Sequence, residues 1–326
     1  KQETIGRVKV YRVGLGNPKF DKLFLAVYGH SQGIKLHQQK PYNAVWAIMA
    51  SFGGLAGLSF KLKTGLPYLL TLQEGDPIED ILKKVKIVRS RFTKVFSQAD
   101  GLQAISRYLL NWGYQQGFRG QAAEVIPNGV DVANFTSQQD SSEIKKIRSS
   151  FGFPDNAVII ATASRLVVKN GLADVITALP NLPPNFCFYV CGAGPLEGHL
   201  RELTKRHKLE SRVNFAGLKS HAELPGIFAA SDIFIRPSLS EGLGNAFLEA
   251  MASGLPTIGT LVGGIPDFLT DGVTGLVCRP QNPKNIAEVI LRASRLTLAE
   301  KTLLHDNALK LIKEKYNWED LVVRLD

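Results

Sequence analysis

The chain has 326 residues, 39 Lys and Arg against 29 Asp and Glu, and 44% hydrophobic residues. This length holds two domains of ordinary size, and the composition is globular, which excludes disordered, collagenous and disulfide-stapled classes. Three cysteines, Cys187, Cys191 and Cys278, form neither a CxxC pair nor a disulfide framework and read as core thiols of a reducing cytoplasm. The net charge of +10 is unevenly spread: residues 1–130 carry 18 Lys and Arg against 8 Asp and Glu, whereas 131–326 carry 21 of each. A basic half attracts an acidic acceptor, anionic lipid or nucleic acid. With no Arg-Gly tract and no aromatic-interleaved basic segment, nucleic acid is set aside.

In chain order, the opening Lys1-Gln2-Glu3-Thr4 is polar and does not read as a signal peptide. Val8 to Val13 and Asn43 to Ile48 alternate as short strands. Ala44 to Phe60 is uncharged and 17 residues long, at the lower limit of a membrane span, but Gly53, Gly54 and Gly57 suit a strand, a tight turn and a close-packed helix instead. Pro67 to Thr71 is a strand that ends in the polar loop Gln73-Glu74-Gly75-Asp76. Ile81 to Phe96 has the 3.6-residue period of one amphipathic helix, with Lys83, Lys84, Lys86, Arg89, Arg91 and Lys94 on its polar side. Gly101 to Ile105 is a strand, and Ser106 caps the helix after it.

From about Asp131 strands and helices alternate, which predicts a parallel doubly wound sheet with ligands at the carboxyl ends of its strands. The strands are Val158 to Ala163, Phe186 to Val190, Val213 to Ala216, Ile233 to Arg236 and Thr257 to Gly259; the helices include Leu172 to Leu179, Pro195 to His207, Ile286 to Leu296 and Glu300 to Lys315. The most informative stretch is Ser240 to Gly254. Glu241 lies in a strand-to-helix loop, and Glu249 lies eight positions on, in the helix. Gly242 and Gly244 let a ligand approach the backbone, and the helix start with Asn245 favours an anion. A carboxylate such as Glu249 can accept from two vicinal hydroxyls, so an anion beside a diol points to the diphosphate and ribose of a nucleotide sugar. Gly192-x-Gly194 after a strand also suits a dinucleotide fingerprint, but its third glycine, Gly198, is one place late and no acid ends the next strand. His30, His37 and His221 have no metal-ligand spacing.

These residues resemble the E-x7-E motif of the retaining glycosyltransferases of family 4, which have the GT-B fold. The resemblance extends in order through Ile126-Pro127-Asn128-Gly129-Val130-Asp131, Ala163-Ser164-Arg165-Leu166 with Lys169-Asn170-Gly171, Cys191-Gly192-Ala193-Gly194-Pro195-Leu196, Arg212 to Gly217, and Val262-Gly263-Gly264-Ile265-Pro266-Asp267. It covers about Ile126 to Trp318. The resemblance implies an α/β chain of two Rossmann-like domains facing each other across a cleft. Residues 1–130 would form the acceptor side and 131–326 the nucleotide-sugar donor side.

The implied reaction is retaining, metal-independent hexosyl transfer that needs no cofactor. Arg165 and Lys169 would hold the diphosphate, Glu241 the sugar and Glu249 the ribose. Gly242, Leu243, Gly244 and Asn245 would line the donor, backbone groups from Phe215 to Leu218 would meet the base, and Gly192 and Gly194 would form a donor-contact or packing loop. Attack would come on the same face as the leaving phosphate, without a protein nucleophile. Gln73, Glu74 and Asp76 lie where the family carries a histidine near the acceptor. The basic half then points to a carbohydrate or lipid-linked acceptor at an anionic membrane surface, and to a cytoplasmic protein peripheral on the inner face. The resemblance also implies a first domain shortened by roughly two strand–helix units, about 60 residues, with Glu3 to Val13 as an interior strand. Two other classes fit the same motifs: a sugar-nucleotide-binding fragment without catalysis, and a GT-B relative acting as epimerase or phosphorylase.

Overall fold

The computed structural model describes residues 2–137 and 140–324, and the chain divides into two compact units between Ile126 and Pro127. In the first unit, β1 (Gln2–Ile5) and β2 (Val8–Tyr11) pair as an antiparallel hairpin, with Gly6 at φ +59° opening the two-residue turn. The expectation of an interior strand here is therefore corrected. Most of these residues are exposed, whereas a strand inside a parallel sheet is apolar on both faces. A 22-residue helix, Pro18–Gln39, follows; no clear periodicity announces it in the sequence, and Phe20, Leu23 and Val27 on it remain exposed.

The sheet of the first unit contains β3 (Val45–Ile48), β4 (Tyr68–Leu72), β5 (Gly101–Ala104) and β6 (Ala122–Val125), parallel and in that spatial order. The uncharged run 44–60 becomes β3 and the start of helix Phe52–Thr64. Gly57 lets that helix lie against the sheet: a Cβ there would sit 2.8 Å from the Ala47 methyl. Among the described residues no helix is long and apolar enough to cross a membrane. Ser106 caps helix Arg107–Gln115, accepting from the Leu109 N–H at 3.3 Å.

The single basic helix expected over Ile81 to Phe96 is instead three pieces: helix Ile78–Lys84, a 3-10 turn Lys86–Val88 and helix Arg89–Ser97. Val85 and Val88 leave the helical backbone, at ψ 7° and 22°, in a segment dense in β-branched residues with restricted χ1. Phe92, Val95 and Phe96 still face inward, and Phe96 meets Trp112 edge-on at 5.2 Å.

The second unit contains β7 (Val158–Ala163), β8 (Phe186–Cys191), β9 (Val213–Gly217), β10 (Ile233–Arg236), β11 (Thr257–Gly259) and β12 (Leu276–Val277), all parallel. Their spatial order is β9-β8-β7-β10-β11-β12. The chain builds outward from β7 in one direction, then returns and builds outward from β10 in the other. This is the dinucleotide-domain order, and its reversal falls between β7 and β10. Every residue of β8 is buried, so a run with no alternation is a central strand covered on both faces. The helix expected from Pro195 starts at Glu197, and the Leu196 N–H just before it is donated to the Leu166 carbonyl at 3.0 Å. The C-terminal segment closes this unit: Val130 donates to the Tyr316 carbonyl at 2.7 Å, and a Cβ on Gly129 would meet the Trp318 ring at 2.7 Å.

One carboxylate in the first unit is buried at a cost. Glu74, just after β4, is 2% exposed, and its Oε1 accepts the Ala50 N–H at 2.6 Å. Burial pushes its carboxyl up to about 7 from an ordinary 4.5. A folded pKa above the unfolded one means that the native state holds the proton more tightly, so stability falls as pH rises from about 4.5 to about 7. Glu74→Gln keeps an acceptor for Ala50 and removes the charge. It is expected to be more stable than the parent above neutral pH, by up to about 3 kcal/mol, and no more stable near pH 4. Urea unfolding at both pH values measures the difference; equal gains at both would contradict the electrostatic origin.

Candidate functional site

In a doubly wound sheet, ligands bind at the carboxyl ends of the strands where the strand order reverses, which here is between β7 and β10. After β7 comes Ser164-Arg165-Leu166-Val167, then a short 3-10 turn, Val168–Asn170. Buried Asn170 donates its side-chain amide to the Arg165 carbonyl at 2.7 Å, closing the loop on itself. The Leu239 N–H, from the loop after β10, donates to the Lys169 carbonyl at 2.6 Å. Gly171, at φ +69°, passes so close to Pro237 that a Cβ would overlap its carbonyl. The two loops are thus stitched together through backbone. Arg165 is exposed and Lys169 half-buried on the first of them.

Gly192 and Gly194 follow β8 and support this loop from behind. Gly192 has φ +139° and donates to the Gly217 carbonyl at 2.7 Å; a Cβ there would overlap the Ser164 carbonyl oxygen. A Cβ on Gly194 would overlap the Leu166 carbonyl, and Leu166 donates to the Ala193 carbonyl at 3.1 Å. These glycines shape the backbone that carries Arg165. At the end of β9, Phe215 is half-buried beneath the Arg201 guanidinium, 4.6 Å from its centroid, and Leu218 is 79% exposed.

The second loop carries Glu241, Gly242, Leu243 and Gly244 into helix Asn245–Ala252. Gly242, Leu243 and Gly244 are buried and Asn245 is half-buried. Glu241 Oε2 accepts from Arg236 Nη2 at 2.7 Å, and Oε1 from the Gly242 N–H at 3.2 Å. The Glu241 carbonyl accepts from the Gly264 N–H at 3.0 Å, which places the Val262–Asp267 motif directly behind it. Arg236, the last residue of β10, is buried, and its guanidinium lies 4.5 Å above the Phe247 ring. Burial lowers its pKa, while Glu241 and then Glu249 oppose that shift.

Glu249, one turn into the helix, is also buried, and its Oε1 lies 3.3 Å from His221 Nε2. The His221 ring is itself held edge-on against Phe135 at 5.1 Å. Burial raises the Glu249 carboxyl above the ordinary range, and His221, then Arg236, pull it back. The two carboxylates of the motif therefore each have a side-chain partner that the motif does not include, Arg236 for Glu241 and His221 for Glu249.

In the first unit, Gln73 and Asp76 lie on the surface side of the loop after β4, while the Glu74 side chain turns inward. His221, read from spacing as unspecialised, and Arg236, read only as the end of a strand, are the two residues that sequence reasoning missed. A signal for Arg236 was present: a full charge closing an otherwise apolar strand must find a partner. His221 left no such trace, since its partner lies 28 residues away.

Residues 143–318 match the model of the family described as Glycosyl transferases group 1. The chain is 32% identical over 216 residues to the GDP-mannose-dependent monoacylated alpha-(1-6)-phosphatidylinositol monomannoside mannosyltransferase of Corynebacterium glutamicum, covering 62% of this chain and 55% of the relative. It is 32% identical over 208 residues to a phosphatidylinositol N-acetylglucosaminyltransferase subunit from Arabidopsis thaliana, covering 62% and 42% respectively. The match thus spans about half the length of these relatives. Among solved structures, a sucrose-phosphate synthase from Thermosynechococcus elongatus superposes with TM-score 0.85 at 19% identity, covering 99% of this chain and 83% of that one. HepE of Anabaena, in complex with UDP and glucose, superposes with TM-score 0.80 at 21% identity, covering 92% and 82%. Both likenesses are of fold, and the fold is GT-B.

The raised Glu249 carboxyl has a measurable consequence. The groups facing it are His221 and Arg236, with Glu241 sharing the Arg236 charge. Binding of a nucleoside diphosphate that depends on ionised Glu249 is expected to weaken on acidification from a pH above the ordinary glutamate range. Stability contributed by this group moves the other way, because a raised folded pKa favours the protonated native state. His221→Ala removes the larger of the two opposing charges and should carry the acidic limb of binding to higher pH. Calorimetry with UDP and GDP from about pH 4 to 8 checks both the limb and its displacement.

Proposed function

Because the chain belongs to the Glycosyl transferases group 1 family, we propose that it transfers a sugar from a UDP- or GDP-sugar to an acceptor hydroxyl with retention of anomeric configuration. The observation that carries this reading is the pair of loops joined at the strand-order reversal. There the loop with Arg165 and Lys169 is hydrogen-bonded to the loop leading to Glu241 and Glu249. A cationic loop against one buried and one half-buried carboxylate suits a diphosphate joined to two polyols. The GDP-mannose dependence stated for the Corynebacterium relative and the UDP and glucose held by HepE support the donor class.

In the proposed mechanism Arg165 and Lys169 neutralise the charge that develops on the diphosphate as the glycosidic C–O bond breaks. Glu249 accepts from the ribose hydroxyls, and Glu241 from hydroxyls of the transferred sugar. The acceptor oxygen bonds to the anomeric carbon on the face that the diphosphate leaves, and its proton passes to the departing phosphate oxygen. No protein nucleophile takes part, and two cations already meet the diphosphate, so the reaction requires no metal ion. The alternatives predict other products: none for a binding fragment, an epimerised nucleotide sugar for an epimerase, and phosphate dependence for a phosphorylase.

Mass-spectrometric detection of glycosylated product with stoichiometric UDP or GDP release is the direct test. Activity is expected to persist in EDTA and to fall sharply in Lys169→Ala. Glu249→Ala should weaken nucleotide binding by about 1.5–3 kcal/mol, the range for hydrogen bonds to a charged group. Complete loss in EDTA with rescue by Mn²⁺ would reverse the metal assignment, and unchanged nucleotide affinity in folded Glu249→Ala would reverse the ribose assignment.

We further propose a lipid-linked or otherwise anionic acceptor, met at a membrane surface by the basic residues 1–130. Lys83, Lys84, Lys86, Arg89, Arg91 and Lys94 cluster around the turn that exposes Ile87 almost completely. Two curated relatives are named for phosphatidylinositol-linked substrates, which is consistent with this class. The protein is expected to cosediment with phosphatidylserine-containing vesicles more than with phosphatidylcholine vesicles, and less so as salt rises. Equal, salt-insensitive association with both would leave the charge as surface solvation.

A further inference from the structure

We propose that Arg236 is a positioning residue for transfer: it fixes the Glu241 carboxylate by one oxygen so that the other is presented to the donor sugar. The inference rests on the reading of Glu241 as the sugar contact. The motif itself contains no cation, and the family resemblance gives Arg236 no role.

The geometry is asymmetric in a useful way. Glu241 Oε2 is occupied by the 2.7 Å bond from Arg236 Nη2. Among the described residues Oε1 has only the 3.2 Å contact from the neighbouring Gly242 N–H, which leaves lone-pair capacity for a ligand hydroxyl. The Glu241 side chain is 14% exposed while that of Arg236 is 8% exposed, so the carboxylate can be reached and the guanidinium lies behind it. The arginine is itself immobilised. Its guanidinium stacks on Phe247 at 4.5 Å, and Nη1 lies 3.5 Å from the Ala163 carbonyl at the end of β7. A Cβ on Gly244, where φ is +101°, would come within 2.9 Å of Nη2 and 3.2 Å of Glu241 Cγ, so the loop is shaped around this pair.

Stability alone does not account for the arrangement. Ile233, Phe234 and Ile235 precede Arg236 in a buried strand, and an apolar residue of similar length would fill the position without desolvating a charge. The guanidinium Nε has no hydrogen-bond partner among the described residues, so even in its pocket the cation is incompletely satisfied. A charge held under such terms is explained by what it does to Glu241.

The test is a double-mutant cycle on the full chain with Arg236→Met, Glu241→Gln and the double variant. Transfer from the cognate nucleotide sugar, calorimetric binding of the free nucleoside diphosphate and thermal unfolding are measured for each. If Arg236 acts through Glu241, Arg236→Met lowers kcat at least about tenfold with a smaller change in KM. The double variant is then no worse than the more damaged single, diphosphate affinity stays within about twofold, and Arg236→Lys recovers part of kcat. Additive losses, or diphosphate binding lost in parallel with kcat in a folded protein, would assign Arg236 a general structural role and overturn the proposal. Near-normal kcat in Arg236→Met with Glu241→Gln impaired overturns the proposal alone. Full activity in Glu241→Gln overturns the sugar-contact reading as well. Should Arg236→Met fail to fold, the cycle is run with Arg236→Lys under the same additivity criterion.

Discussion

The reversal of strand order between β7 and β10 is the constraint on which the donor site depends. Parallel strands must be joined by crossovers, and two adjacent strands whose crossovers lie on opposite faces leave their carboxyl ends uncovered. The charged residues of the motifs gather there. Arg165 and Lys169 follow β7; Arg236, Glu241 and Glu249 end or follow β10. The first unit has its strands in simple sequence order, β3 to β6, so its described sheet contains no such reversal. The asymmetry in motif density along the chain thus has a topological counterpart.

At those strand ends, electrostatics is handled by pairing. Burial in this small volume disfavours a charged carboxylate, and it raises the Glu249 carboxyl above the ordinary range. Arg236 beneath Glu241, with a longer-range effect on Glu249, and His221 beside Glu249 limit this. Removing one member of such a buried pair typically costs on the order of 3–5 kcal/mol, whereas replacing the whole pair by apolar residues is often neutral. Retention of a pair therefore says more about function than about stability. Glycines complete the assembly in a physical sense: Gly171, Gly192, Gly244 and Gly263 all have positive φ and all abut another loop's backbone or charged side chain. Close backbone packing, more than flexibility, is what their missing Cβ provides.

The first unit solves a different problem. Its interior is aromatic, with Phe92, Phe96 and Trp112 in mutual contact, yet it retains buried polar groups near the carboxyl ends of its strands. Thr71 accepts from Trp46 Nε1 at 2.7 Å, and Gln103 donates to the Ile126 carbonyl. Glu74 adds a carboxylate that burial drives toward neutrality.

The sequence by itself determined the class of the second unit and most of its strands, because an apolar run such as Phe186–Cys191 closed by Gly192 can be little else than a buried parallel strand. It also singled out Glu241 and Glu249, since they stand in a glycine-punctuated loop and helix whose local geometry is set by nearby residues. Where local and nonlocal terms compete, it failed. The basic segment 81–96 has helical periodicity, but the backbone leaves the helix at Val85 and Val88. Glu3 to Val13 reads as one interior strand, yet the chain turns at Gly6 and pairs Gln2–Ile5 with Val8–Tyr11 as a hairpin. Only the tertiary structure could place His221 against Glu249 or Arg236 under Glu241 and Phe247, because those contacts depend on strand order and side-chain burial. Neither leaves a periodic trace in the chain, and both follow from which strand ends beside which.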